Sequence, residues 1–236
     1  IMKKLFSILF SIVALFVVIS CSNIEPKKDI ELMGAGDRIH DTYTFANTGA
    51  KGLFPARLFR GLASLTNVAG IFSGCSNITG TLPTCTSEDT KLFADNPLIS
   101  IIDYMFSGCT ALSGSIPENI FFGLEEDTSE LRFDITSAKG VFKNCQTLSG
   151  RLPAKLLYKF KTCEDLSEFF QNCYKLQGAI PNGFLSKCTA LKRCNNMFSE
   201  ANGIGIREVN SIDKYCIPQD LFEKNYFLQS CAAMFY

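Results

Sequence analysis

Phe142-Lys-Asn-Cys145-Gln-Thr-Leu148-Ser-Gly150-Arg-Leu152-Pro153 is the stretch that decides the fold, because the chain repeats its frame. The frame also reads Phe72-Ser-Gly-Cys75-Ser-Asn-Ile78-Thr-Gly80-Thr-Leu82-Pro83 and Phe106-Ser-Gly-Cys109-Thr-Ala-Leu112-Ser-Gly114-Ser-Ile116-Pro117. A further copy is Phe170-Gln-Asn-Cys173-Tyr-Lys-Leu176-Gln-Gly178-Ala-Ile180-Pro181. In all four copies the proline falls 11 residues after the phenylalanine. Self-similarity at a fixed spacing marks stacked structural units and outranks any local reading of the chain.

Working outward from the proline, an apolar pair follows three and four residues later: Leu58-Phe59, Ile120-Phe121, Leu156-Leu157, Phe184-Leu185 and Leu221-Phe222. The next frame phenylalanine comes 17 residues after the proline, as from Pro55 to Phe72, Pro153 to Phe170, Pro181 to Phe198 and Pro218 to Phe235. The basic unit is therefore 28 residues. Three units are longer. Six extra residues lie between Pro83 and Phe106, where Leu92-Phe93 restores the apolar pair. Eight lie between Pro117 and Phe142, around Glu125-Glu126-Asp127, and nine between Phe198 and Pro218, around 203–210. Insertions that leave the frame intact on both sides behave as loops on a solenoid. Phe45 to Pro55, with Gly52, reads as a degenerate opening half-unit, as terminal repeats often are. The frame calls for a further Cys and Leu-x-Gly-x-Ile-Pro phrase after Tyr236, so the array is expected to be cut inside a unit.

Each repeated position has a physical reading. Proline suits the first turn of a helix, where its missing N–H costs nothing. Apolar residues three, four and seven positions later give a short helical face, as in Phe184, Leu185 and Cys188. Phe and Cys three apart share a side of a second turn. Leu-x-Gly-x-Ile alternates like a half-buried extended segment. Gly80, Gly114, Gly150 and Gly178 mark a backbone conformation or a close approach that a side chain would block. One unit alone cannot bury its apolar side, so neighbours complete the core. Phe72, Phe106, Phe142, Phe170 and Phe198 are expected to form an internal ladder, with Cys75, Cys109, Cys145 and Cys173 as small apolar fillers beside it. Cys163, Cys188, Cys194, Cys216 and Cys231 fall outside that ladder and are the better disulfide candidates. The predicted architecture is an α/β solenoid over 42–236, with short parallel strands alternating with short helices or helical turns, in about six units.

The remainder of the chain bounds function. Lys plus Arg and Asp plus Glu both total 23, which supplies no basic surface for nucleic acid. The lone histidine, His40, precedes the repeats, so a Cys–His or Ser–His–Asp site would have to use it. Glu125, Glu126 and Asp127 read as a solvated loop, no Cys-x-x-Cys pair suggests structural zinc, and no phosphate-binding glycine motif occurs. No catalytic, cofactor or metal residues are assigned. Lys3 and Lys4 precede an uncharged apolar run over 5–19, which is the layout of a secretory signal. Val18-Ile19-Ser20-Cys21 resembles the lipobox of bacterial lipoproteins. The resemblance implies cleavage before Cys21, acylation of Cys21 and anchoring to the outer membrane or cell surface, with 1–20 as signal and 21–41 as a flexible tether.

The Phe-x-x-Cys-x-x-Leu-x-Gly-x-Ile-Pro frame resembles the BspA-like leucine-rich-repeat surface proteins and the Phe-x-x-Cys-x-x-Leu repeats of mollicute surface lipoproteins. Its unit is longer than is usual in either family, and Gly-x-Ile-Pro is similar to the plant type of leucine-rich repeat. What the resemblance implies is adhesion: binding a protein on a host or bacterial surface through the side that carries the insertions, near Glu125 to Ser137 and Gly203 to Asn210. An alternative from another class is capture of a glycan for uptake, with tyrosines supplying aromatic platforms in the absence of Trp.

Overall fold

The structure is a computed structural model and describes residues 46–47, 51–53, 59, 61–83, 92–93, 96–118, 120–121, 135–205 and 217–236. Repeating coils stack through short parallel strands. Strands β1 (Lys51–Leu53), β2 (Asn77–Thr81) and β3 (Leu112–Ser113) form one parallel sheet in sequence order. Strands β4 (Gln177–Gly178) and β5 (Gly203–Ile204) form another. The register is the same throughout: the glycine of one coil faces the apolar residue of the next. The pairs are Gly52 with Ile78, Gly80 with Leu112, Gly114 with Leu148, Gly150 with Leu176 and Gly178 with Ile204. A Cβ on Gly114 would lie 2.7 Å from Cγ2 of Thr81 in the preceding coil, and its φ is +76°. Both facts exclude a side chain there.

A second parallel ladder runs along a different side of every coil. Asn67, Ile101, Ser137, Asp165, Arg193 and Ser230 bridge one to the next. From this column onward, alternate backbone N–H groups donate to carbonyls of the following coil. Between the coils of Phe142 and Phe170 the donors are Ala138, Gly140, Phe142 and Asn144, and the acceptors Asp165, Ser167, Phe169 and Gln171. The same four bonds recur at five successive interfaces from the coil of Phe72 onward, the last set being Cys194, Asn196, Phe198 and Glu200 on Ser230, Ala232, Met234 and Tyr236. Asn47 donates to Ser73 in the same pattern, which places it in the coil before Phe72.

Among the described residues there is no helix. The prolines open tight turns: Ile120, Leu156, Phe184 and Leu221 donate to the carbonyls of Pro117, Pro153, Pro181 and Pro218, three residues back. The helical part of the α/β expectation is thus replaced by turns, and the reason is spacing. Two ladders hold neighbouring coils at the parallel-strand separation of about 4.8 Å, whereas a packed helix needs about 10 Å. The apolar pairs still point inward, with Leu156, Leu157, Phe184 and Leu185 buried.

The interior is a single apolar cluster running the length of the stack. Phe72, Phe106, Phe142, Phe170, Phe198 and Phe235 lie ring over ring, with successive centroids 5.9, 5.6, 5.9, 5.7 and 5.6 Å apart and rings within 11° of parallel. Centroids farther apart than the strand spacing mean offset stacking, the arrangement the ring quadrupoles favour. A less regular column of Phe59, Phe93, Phe121 and Phe160 lies beside it.

Cys75, Cys109, Cys145 and Cys173 are buried in line, and they are more than fillers. The thiols of Cys109, Cys145 and Cys173 donate to the carbonyls of Phe72, Phe106 and Phe142, at 3.3, 3.0 and 3.0 Å. Each bond crosses to the preceding coil. Cys163, Cys188, Cys194 and Cys231 are free thiols, which overturns their reading as disulfide candidates. The first three are buried in the core, where they fill the same space as leucines in other coils. Burial pushes the Cys163, Cys173 and Cys194 thiols up to about 12, so the reactive thiolate is suppressed. Cys216 lies outside the described residues.

Two buried asparagines occupy one coil position, seven residues after the proline once the insertion is discounted. Nδ2 of Asn96 donates to the carbonyls of Phe59 and Leu62. Nδ2 of Asn225 does the same to Leu185 and Cys188. Both reach into the coil before and hold its turn.

Candidate functional site

The coil has two unlike sides. In the coil of Phe170 the locked side runs over 164–173, through the second ladder and its four bonds. No insertion interrupts this arc in any coil. All three insertions fall on the remaining arc, around the proline turn. The inserted residues lie between described residues Pro83 and Leu92, Phe121 and Ile135, and Gly205 and Ile217.

The locked side carries an ordered polar surface. Oδ1 of Asp103 accepts from the Lys139 backbone and from Oγ of Ser137. Oδ1 of Asn195 accepts from the Ala232 backbone and from Oγ of Ser230, one coil on. Asp165 accepts from Arg193 Nε at 3.0 Å and from the Ser167 backbone. Glu168 meets both Lys139, at 3.2 Å, and Lys143. Burial pushes the Glu168 carboxyl up, but Lys143 and Lys139 outweigh it and hold it below the usual carboxylate range. Burial likewise raises Asp165, and Ser167 and Arg193 more than reverse it. The Lys139 ammonium lies 5.7 Å from the centre of the Tyr104 ring; Tyr104 and Glu168 hold it above its ordinary value, against burial. These groups serve one another across coils. Ser137, at one end of the stretch read from the sequence as a binding face, belongs to this internally satisfied column.

The proline side differs. Tyr158 is 43% exposed and stands between two lysines of different coils. Nζ of Lys155 lies 6.0 Å and Nζ of Lys187 5.8 Å from its ring centre. Lys159 and Lys187 occupy the same place, six residues after Pro153 and Pro181. Among the described residues, Lys155, Lys159, Lys161 and Lys187 have no carboxylate within ion-pair distance. The sequence reading missed this cluster; lining up the residues that follow each proline puts Lys159 and Lys187 at one position, but not Lys155 and Lys187 at one ring.

The remaining sequence candidates divide as follows. Gly203 and Ile204 lie in β5, against β4. Cys21, His40 and the Glu125-Glu126-Asp127 insertion lie outside the described residues, as do 206–210. Among the described residues no group of His, Cys, Asp and Glu is arranged to hold a metal ion, and no helix is long and apolar enough to cross a membrane.

No family model matches the sequence, and no curated protein matches it. Among solved structures the chain is similar to a leucine-rich repeat protein from Bacteroides ovatus, at 16% identity and a TM-score of 0.34. That similarity covers 81% of this chain and 43% of the other, so the chain spans less than half the length of the protein it matches.

Proposed function

We propose that this stacked-coil protein is an exported, lipid-anchored binding module that adheres to a partner on a host or bacterial surface through its proline side. One observation carries the reading: all variation in unit length falls on that side, while the opposite arc is fixed by the same four backbone bonds at five successive described interfaces. A scaffold that holds its core constant and varies one arc suits recognition, since exposed connections tolerate change where the packed frame does not. Polar groups on the locked side are engaged with each other, which leaves the exposed aromatics and lysines of the other side for a ligand. Acylation at Cys21 would tether the module to the membrane, and the polar stretch after it would hold the coils clear of the lipid.

The test expresses the chain in a bacterium with intact lipoprotein processing. Cys21→Ala is expected to abolish radiolabelled palmitate incorporation and release the protein from the membrane fraction. Deleting 125–127 is expected to weaken cell adhesion while leaving thermal unfolding unchanged. Adhesion that survives removal of every insertion and is indifferent to Cys21 would remove this reading.

A second reading, a glycan-capturing lipoprotein for uptake, is favoured by exposed tyrosines at Tyr158, Tyr174 and Tyr226. Arrays of glycans and of surface proteins separate the two.

A further inference from the structure

We infer that the ridge of Lys155, Tyr158, Lys159 and Lys187 is a docking track for a linear anionic polysaccharide carrying carboxylate or sulfate on successive sugars. The inference rests on the reading of this chain as a binding module and names the class of its partner.

Tyr158 draws two ammonium groups from different coils to one ring. Lys155 lies three residues before it, and Lys187 reaches it from the next coil. Like charges brought together repel, so an arrangement of this kind needs compensation. The ring quadrupole supplies part of it. Glu118 Oε1 is engaged at 2.9 Å by the Lys155 backbone N–H, and no carboxylate of the described residues lies within ion-pair distance of the Lys155, Lys159 or Lys187 ammonium groups. Among the described residues the ridge therefore retains positive charge that an external anion would neutralise. On the locked side the outcome is opposite: Lys139 and Lys143 converge on Glu168 and are already neutralised.

Periodicity points to a polymer. Lys159 and Lys187 repeat at one coil position, so their backbones step along the stack at about 4.8 Å, the spacing of parallel strands. The backbone is pinned there: Ala190 N–H donates to the Lys161 carbonyl at 3.2 Å, and the Cys188 thiol points to the Leu157 carbonyl. The same position in the next coil is Lys224, but Glu223 pairs with it at 2.7 Å, which ends the track. Two equivalent charges one coil apart, with Lys155 beside them, suit a chain whose anions also recur. Lysine, a compact charge without the planar fork of arginine, places little demand on the shape of the anion. Tyr158 is a positioning residue in this scheme: its ring gathers the two ammonium groups.

The experiment uses the processed chain without lipid and measures affinity for alginate as a uronate probe, dextran sulfate as a sulfate probe and neutral dextran as a blank. One or both charged polymers are expected to bind, with affinity falling as salt rises, and dextran is not. Lys155→Gln with Lys187→Gln is expected to weaken binding at least tenfold. Lys139→Gln with Lys143→Gln, an equal change of charge on the locked side, is expected to leave it within twofold. Tyr158→Leu should weaken binding and Tyr158→Phe restore it, with unchanged thermal unfolding in both. Equal loss from the two lysine pairs, or tighter binding to duplex DNA or phosphatidylglycerol vesicles than to either polysaccharide, overturns the inference. If polysaccharide binding fails while cells displaying the protein still adhere, the ridge is wrong and the adhesive reading stands. If adhesion is also absent, the broader reading fails with it.

Discussion

The locked arc and the proline arc of a coil obey different rules. On the locked arc each interface repeats four backbone bonds, and side chains as unlike as Ile101, Ser137, Asp165 and Arg193 occupy one column. On the proline arc the bonds between coils are confined to the first ladder and to single contacts such as Ala190 N–H to the Lys161 carbonyl, and the turns between them close on themselves, so that extra residues enter without disturbing the frame. What distinguishes them is where the backbone hydrogen bonds go. A segment whose N–H groups are committed to a neighbouring coil cannot change length, because one added residue would put every later donor out of step. A segment that satisfies its groups within three residues can.

The largest test of that contrast is in the shared core. Phe142 stacks on Phe106 and on Phe170 and is fully buried. Phe142→Ala is expected to cost about 3–5 kcal/mol, read by denaturant or thermal unfolding. Removing the insertion around Glu125-Glu126-Asp127 should change stability by less than about 0.5 kcal/mol. Comparable losses from the two would erase the distinction between frame and loop.

Next in size is a glycine of the locked arc. Gly140 has φ of +58°, and a Cβ there would come within 2.4 Å of the Tyr104 ring in the preceding coil. Gly140→Ala combines a left-handed alanine, about 1–2 kcal/mol, with displacement of that ring. The expected total is about 2 kcal/mol or more, and pairing it with Tyr104→Ala should recover the steric share. Additive losses in the double variant would show that the ring is not the obstacle.

Thiol chemistry gives a finer comparison of inside and outside. Cys145 is buried and bonded to Phe106, while Cys231 is exposed. Under native conditions an alkylating reagent should modify Cys231 and spare Cys75, Cys109, Cys145, Cys163, Cys173, Cys188 and Cys194, as read by peptide mass mapping. Cys145→Ala should cost about 1–2 kcal/mol, since it removes both packing and a thiol donor. Rapid labelling of Cys145 in the folded protein would contradict its place in the ladder.

The frame was legible because the residues that carry it use side-chain chemistry. Phe, Cys and Gly recur because ring stacking, a crossing thiol bond and an unobstructed backbone demand those types. The second ladder was illegible for the opposite reason: Asn67, Ile101, Ser137, Asp165, Arg193 and Ser230 share only backbone bonds, which leave no mark on the sequence. Helix and turn could not be separated either, since apolar residues three, four and seven after a proline face inward in both. The side that accepts extra residues was legible from the unequal unit lengths. The lysine–tyrosine cluster was not, because Lys155 and Lys187 meet at Tyr158 only once the register of two coils is known.

Acid should discriminate between the arcs with a smaller effect. Asp165 and Glu168 on the locked side have carboxyls held below their ordinary values. A carboxyl with a lowered folded-state pKa adds stability above its unfolded value, and that contribution disappears as pH falls through the folded value. Stability should therefore decline below about pH 4, and Glu168→Gln should flatten that decline. Each pair contributes at most about 1 kcal/mol at the surface. A decline indifferent to Glu168→Gln would place the acid-sensitive groups elsewhere.

The smallest expected effect concerns strain that the sequence conceals. One position of the locked arc is left-handed in six successive described coils: Gly70, Tyr104, Gly140, Glu168, Asn196 and Ala233 all have φ between +50° and +63°. Glycine meets that demand freely, and any other residue is strained by it. Tyr104 and Glu168 have contacts to lysines that offset the strain. Ala233 is exposed and has only a methyl group to lose. Ala233→Gly is thus expected to raise stability by about 0.5–1 kcal/mol, the left-handed penalty less the extra chain entropy of glycine. Glu168→Gly, at the same coil position, should gain less or lose, because Lys139 and Lys143 would be left unpaired. If both glycine variants behaved alike, the conformation would be fixed by something other than the four backbone bonds, and the locked arc would not be the rigid element of the coil.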